Sequence, residues 1–129
     1  MRRGIGLILA ICLAATLAAC SGAGPIIEST SRLQDSTDTI GPYTVSAVVL
    51  NAGRDDLVEL FYNVDNQARF IPLVMSEQAN GELFTGEIPG RPVGSRITYY
   101  VAVTDTDDVR LATDPVGAGA LPFSFRIVE

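Results

Sequence analysis

From Gly41 to the end of the chain, apolar and polar residues alternate with a period of two, and this pattern limits the fold more than any other feature. Successive side chains of a strand point to opposite faces, so such runs bury one face and leave the other to water. Tyr43, Val45, Ala47 and Val49 share one face of the first run. Val58, Leu60, Tyr62 and Val64 share a face of the second, and Ile97, Tyr99, Val101 and Val103 of another. Phe123, Phe125 and Ile127 close the series, and shorter apolar runs begin at Phe70 and Leu83. Turn chemistry punctuates them at Asn51-Ala52-Gly53, Asp65-Asn66, Asn80-Gly81, Gly90, Pro92 to Gly94, and Asp107-Asp108. Asn-Gly is a strong hairpin signal, because both residues tolerate positive φ. Leu57, Leu60, Phe61 and Val64 also fit helical spacing, with Asp55 or Asp56 as a cap. The strand reading is preferred because the run is rich in Val, Phe and Tyr. Evenly spaced short strands with Gly/Pro turns predict an all-β sandwich of about seven strands over residues 41–129.

The N-terminus reads differently. Met1-Arg2-Arg3 precedes an apolar run from Ile5 to Ala19. A basic start, a short apolar middle and small residues before a cleavage point are the marks of a secretory signal peptide. The run is shorter than the ~20 residues that span a bilayer, which disfavours a retained transmembrane helix. Leu17-Ala18-Ala19-Cys20 resembles the lipobox of bacterial lipoproteins. The resemblance implies cleavage between Ala19 and Cys20, acylation of Cys20, and a bilayer as a partner. Residues 1–19 are thus expected to be the signal peptide, and the lipidated product an exported protein anchored to the cell envelope. Ser21 stands where an Asp would resemble an inner-membrane retention signal, so the outer membrane is expected in a Gram-negative cell. Residues 20–40 are rich in Ser, Thr and Gly and are expected to form a mobile tether of about 25 Å, with a short edge strand near 25–28.

Composition excludes several functions. Without Arg2 and Arg3, seven Arg face fifteen Asp plus Glu, and Lys is absent. Phosphate neutralisation needs clustered cations, so nucleic acid is not an expected partner. Cys20 is the only cysteine after the expected cleavage point, so no intrachain disulfide can brace the core. With no His and no Lys, the Ser-His-Asp, Cys-His and Ser-Lys nucleophile systems are excluded within one chain, and so are the usual zinc sites. Carboxylate chemistry remains formally open: Asp38-Thr39-Ile40-Gly41 faintly resembles an aspartic-protease motif, with the glycine displaced. The expectation is a non-enzyme that needs no cofactor.

An ordered series of short motifs carries a further resemblance. It runs Gly41-Pro42-Tyr43-x-Val45-x-Ala47, Leu60-Phe61-Tyr62-x-Val64-Asp65, Leu73-x-Met75, Phe84-x-Gly86-x-Ile88-Pro89 and Gly94-x-x-Ile97-x-Tyr99-Tyr100-Val101-x-Val103-x-Asp105. Together these resemble bacterial extracellular immunoglobulin-like domains of the fibronectin type III sort. The resemblance implies strands A, B, C, C′, E, F and G, with C, F and G in one sheet. Relatives turn with a glycine after the position of Asp105, where this chain has Thr106-Asp107-Asp108.

Two candidate sites follow. If Leu60, Tyr62, Ile97 and Tyr99 face inward, then Phe61 and Tyr100 face outward, as does Arg126 between Phe125 and Ile127. On neighbouring strands Phe61, Tyr100 and Arg126 are expected to form one binding patch, since aromatics with Arg are typical of recognition hot spots. The competing reading makes them cross-strand pairs that only stabilise the sheet. Asp105, Asp107 and Asp108 offer oxygen ligands suited to calcium, against a solvated turn in which Asp bonds its own backbone. The expected function is a non-catalytic envelope lipoprotein that binds a protein or serves envelope structure. A carbohydrate-binding module is the alternative, weakened by the absence of Trp; a carboxylate-based hydrolase is the third reading.

Overall fold

The computed structural model describes residues 24–116 and 121–129. Among the described residues nine strands make two antiparallel sheets, and there is no helix. The strands are β1 (Ile26–Thr30), β2 (Tyr43–Leu50), β3 (Leu57–Val64), β4 (Ile71–Val74) and β5 (Ser76–Glu77), followed by β6 (Leu83–Ile88), β7 (Arg96–Thr104), β8 (Arg110–Asp114) and β9 (Phe123–Arg126). One sheet has the order β9-β7-β3-β4, with β8 also paired to β7. The other has the order β1-β2-β6-β5. The chain is therefore an all-β sandwich. Its strand count exceeds seven because one closing strand is split into β8 and β9, and because β5 follows β4 in the opposite sheet.

The alternation decides which face is buried. Val45, Ala47 and Val49 of β2 face Val58, Leu60 and Tyr62 of β3 and Ile97, Tyr99 and Val101 of β7 in one buried core. The segment Leu57–Val64 is a strand, paired along its whole length with β7, and the helical alternative is set aside. Met75 lies at the switch between sheets. Its amide donates to Val58 O at 2.9 Å and its side chain enters the core. Gly86 makes room there, since a Cβ on it would stand 3.0 Å from Leu60 Cδ2 and 3.3 Å from Met75 Cγ. Tyr43, Tyr99, Phe123 and Phe125 form an aromatic layer, with Tyr43 edge-on to Phe125 at 5.3 Å and Tyr99 5.4 Å from Phe123. Asp65 and Asn66 both take positive φ between β3 and β4, and the Gln67 amide closes their turn on Val64 O at 3.3 Å.

The expected short edge strand near 25–28 is β1, and the expected mobile tether is corrected from Ser31 to residue 40. β1 pairs with β2 through Ile26–Thr30. The Ser31 amide then donates to Ser46 O (2.8 Å), and the Ser46 amide to Ser31 Oγ (2.9 Å). Ser36 makes a parallel bridge with Ile127. The Tyr99 hydroxyl donates to Ser31 O at 2.7 Å and accepts from the Leu33 amide at 2.9 Å. Ser and Thr do not bury much surface, but their backbone groups complete two sheet edges while Ile27 and Leu33 pack on the core.

Candidate functional site

The outer face of the larger sheet is built from alternate residues of β3, β4 and β7. Register sets Phe61 opposite Tyr100 on one side and Pro72 on the other. The Phe61 and Tyr100 rings stack, with centroids 4.9 Å apart and planes 10° from parallel. Phe70, just before β4, meets Tyr100 edge-on at 5.2 Å and 63°. The Arg110 guanidinium stands 5.1 Å from the Phe61 centroid and 5.5 Å from that of Tyr100. All three rings are half-buried and Arg110 is exposed. Leu57 and Val74, 46% and 63% exposed, extend the apolar surface on the same face. Below the cluster the face turns polar, where Asn63, Arg96, Thr98 and Ser124 line an open groove of about 380 Å³ beside Phe70.

The cluster holds itself in place. Aromatic pairs contribute about 0.5–1.5 kcal/mol beyond their buried area, and an exposed guanidinium over a ring about 0.5–1 kcal/mol. Side chains already fixed lose little rotamer freedom when a partner covers them. The chemistry on offer is therefore recognition: apolar area with one positioned cation.

Arg126 does not join this cluster. It pairs with Arg96, four residues along β7 from Tyr100, which at ~3.3 Å per residue is about 13 Å away. The expected grouping of Phe61, Tyr100 and Arg126 is thus corrected: the two rings meet, and Arg110 supplies the cation. The reason is the split closing strand. β9 covers β7 only over Arg96–Tyr99, and β8 covers Val101–Thr104, with Arg110 set opposite Thr104. Phe70 and Arg110 were both missed from sequence. The signal for Arg110 was the run Val109–Thr113 directly after the Asp107-Asp108 turn, which reads as the return strand of a hairpin.

The acidic loop closes on itself. Asp105 Oδ1 accepts from the Asp107 amide (2.8 Å) and the Val109 amide (2.9 Å), and Asp108 takes the positive φ that a glycine would supply. Among the described residues no group of three or more His, Cys, Asp or Glu is arranged to hold a metal ion. The hydrogen bonds support the turn reading of Asp105, Asp107 and Asp108, because Asp105 Oδ1 is engaged by the loop backbone. Asp38 is likewise a turn residue. Hydrogen bonds from the Gly41 and Ile40 amides hold its carboxyl below the usual carboxylate range. Ala19 and Cys20 lie outside the described residues. No protein-family model matches the chain, and no curated protein matches its sequence.

Proposed function

We propose that the chain is an envelope lipoprotein, anchored through Cys20, whose immunoglobulin-like sandwich is a non-catalytic module that binds a protein partner. The strand orders β1-β2-β6-β5 and β9-β7-β3-β4 support the immunoglobulin-like reading, since they correspond to the A-B-E-D and G-F-C-C′ sheets of such domains. The observation that carries the binding role is the Phe61–Tyr100–Phe70 cluster under Arg110, an ordered aromatic and arginine surface of hot-spot composition. Its stacked rings cover each other's faces, which suits an irregular protein surface better than a flat sugar ring.

The experiment has two parts. Cells fed an alkyne fatty acid should label the wild-type chain and not Cys20→Ala, and equal labelling removes the anchor. Crosslinking in native membranes, read by mass spectrometry, should recover a partner with the wild type and lose it with Phe61→Ser plus Tyr100→Ser. Undiminished recovery by a folded double mutant excludes this face.

A further inference from the structure

We infer that the acidic end of the sandwich faces the bilayer across a gap set by charge repulsion, an inference that rests on the anchoring of Cys20 proposed above. Only Ser21 to Pro25 separate Cys20 from Ile26, the first residue of β1. A chain spans at most ~3.3–3.6 Å per residue, so the six steps from Cys20 to Ile26 reach no more than about 22 Å. The domain is held close to its anchor, and by one particular end.

Pairing identifies that end. Ile26 lies opposite Leu50, where β2 stops, and Leu57 lies opposite Thr104, where β3 starts and β7 stops. The same end therefore carries the loops of residues 51–56 and 105–109. It also carries the loop before β6, because the Val49 amide donates to Glu82 O at 2.9 Å. These loops bring Asp55, Asp56, Glu82, Asp105, Asp107 and Asp108 together, against Arg54 and, just past the last loop and opposite Thr104, Arg110. The loops of residues 51–56 and 105–109 meet around one open cleft lined by Arg54, Asp55, Asp56, Asp105 and Asp108. Arg69, Arg91, Arg96 and Arg126 lie toward the other end, where Arg96 O accepts from the Asp65 amide and Ile127 O from the Gly94 amide. Those four arginines are offset at that end by Asp35, Asp38, Asp65 and Glu87, so the excess of negative charge lies at the tether end.

A leaflet rich in anionic lipid carries a negative surface potential that falls off within a Debye length. That length is about 30 Å at 0.01 M salt and about 8 Å at 0.15 M. At low salt it exceeds the reach of the tether, so the acidic end is pushed to full extension. At 0.15 M it is less than half that reach, and the gap closes by on the order of 10 Å.

The test uses residues 20–129, which contain every described element, coupled through the Cys20 thiol to a maleimide lipid in vesicles. A donor dye is placed by azide chemistry at Thr106 or at Val93 on the opposite end, with acceptor dye on the lipid headgroups. Thr106 should lie nearer the bilayer than Val93 in every condition. In phosphatidylglycerol-rich vesicles the Thr106 distance should shorten by on the order of 10 Å between 0.01 and 0.15 M salt, and it should stay constant in phosphatidylcholine. Asp55→Asn with Asp107→Asn and Asp108→Asn should at least halve that response. A nearer Val93, or the same salt response on neutral and anionic vesicles, overturns the inference. Chemical coupling does not depend on cellular acylation. A failure here leaves the fatty-acid labelling result standing, whereas absent labelling in cells removes the anchor and leaves this geometry intact.

Discussion

Tyr99 and Tyr100 are neighbours in one strand, yet they belong to two different surfaces. Tyr99 is wholly buried between the sheets, with its ring against Phe123 and Phe125 and its hydroxyl tied to Ser31 and Leu33. Tyr100 is half-buried on the outer face, where its neighbours are Phe61, Phe70 and Arg110. The inner surface is closed on every side by the fold. The outer one is ordered but still open on one side. An aromatic ring in the first setting supports stability; in the second it is available for recognition.

The largest expected effect lies inside. Tyr99→Ala should cost about 3–5 kcal/mol, as for other large aromatic truncations in a core, read by urea unfolding. A loss below about 1 kcal/mol would erase the distinction between the two faces.

Tyr99→Phe sharpens the comparison by keeping the ring and removing the hydroxyl. It leaves Ser31 O and the Leu33 amide unpaired, at about 1–3 kcal/mol. Hydrogen exchange should quicken at Leu33 and Ser36 and change little along β3. Uniform quickening would show that residues 31–36 unfold only with the whole sandwich.

On the outer face, Arg110→Ala should cost no more than about 1 kcal/mol, since a cation over an exposed ring contributes about that much. It should nevertheless weaken partner recovery, whereas Arg126→Ala should not. Equal effects of the two would show that the cation of the patch is not decided by the β8 register.

The smallest effect is a pH dependence. Burial pushes the Tyr99 hydroxyl above the usual phenol range, and the Leu33 hydrogen bond offsets part of this. In the unfolded chain the phenol loses its proton near its ordinary pKa of about 10. The folded chain keeps the proton longer, so this contribution is fully present below about pH 10 and is lost as pH rises through the folded value. Thermal melts should therefore show Tm falling more steeply above about pH 10 in the wild type than in Tyr99→Phe. Parallel slopes would mean that burial does not hold the Tyr99 hydroxyl in its protonated form.

Much of this arrangement was legible because a strand's side-chain period leaves little freedom. Once Val58, Leu60 and Tyr62 are assigned inward, Phe61 has to face out, and β7 follows the same rule. The turns were legible for a similar reason: Asp65, Asn66 and Gly81 occupy the positive-φ positions that few other residues tolerate. Parity states the face but not the height along a strand. It put Arg126 outward, which is right, and could not say that Arg126 lies beside Arg96 and not beside Tyr100.

What the sequence determined by itself was a two-faced β chain, with inward sets on the main strands and an outward Phe61 and Tyr100. Those properties follow from local alternation and turn chemistry. Tertiary structure alone decided that the closing strand is shared between β8 and β9, that Arg110 covers the aromatic pair, and that the Ser/Thr-rich segment after β1 docks on Tyr99. These depend on which sheet edge is left unpaired. Pairing across 66 residues from Leu33 to Tyr99 is fixed by the geometry of the closed sandwich, and no local pattern in the chain encodes it.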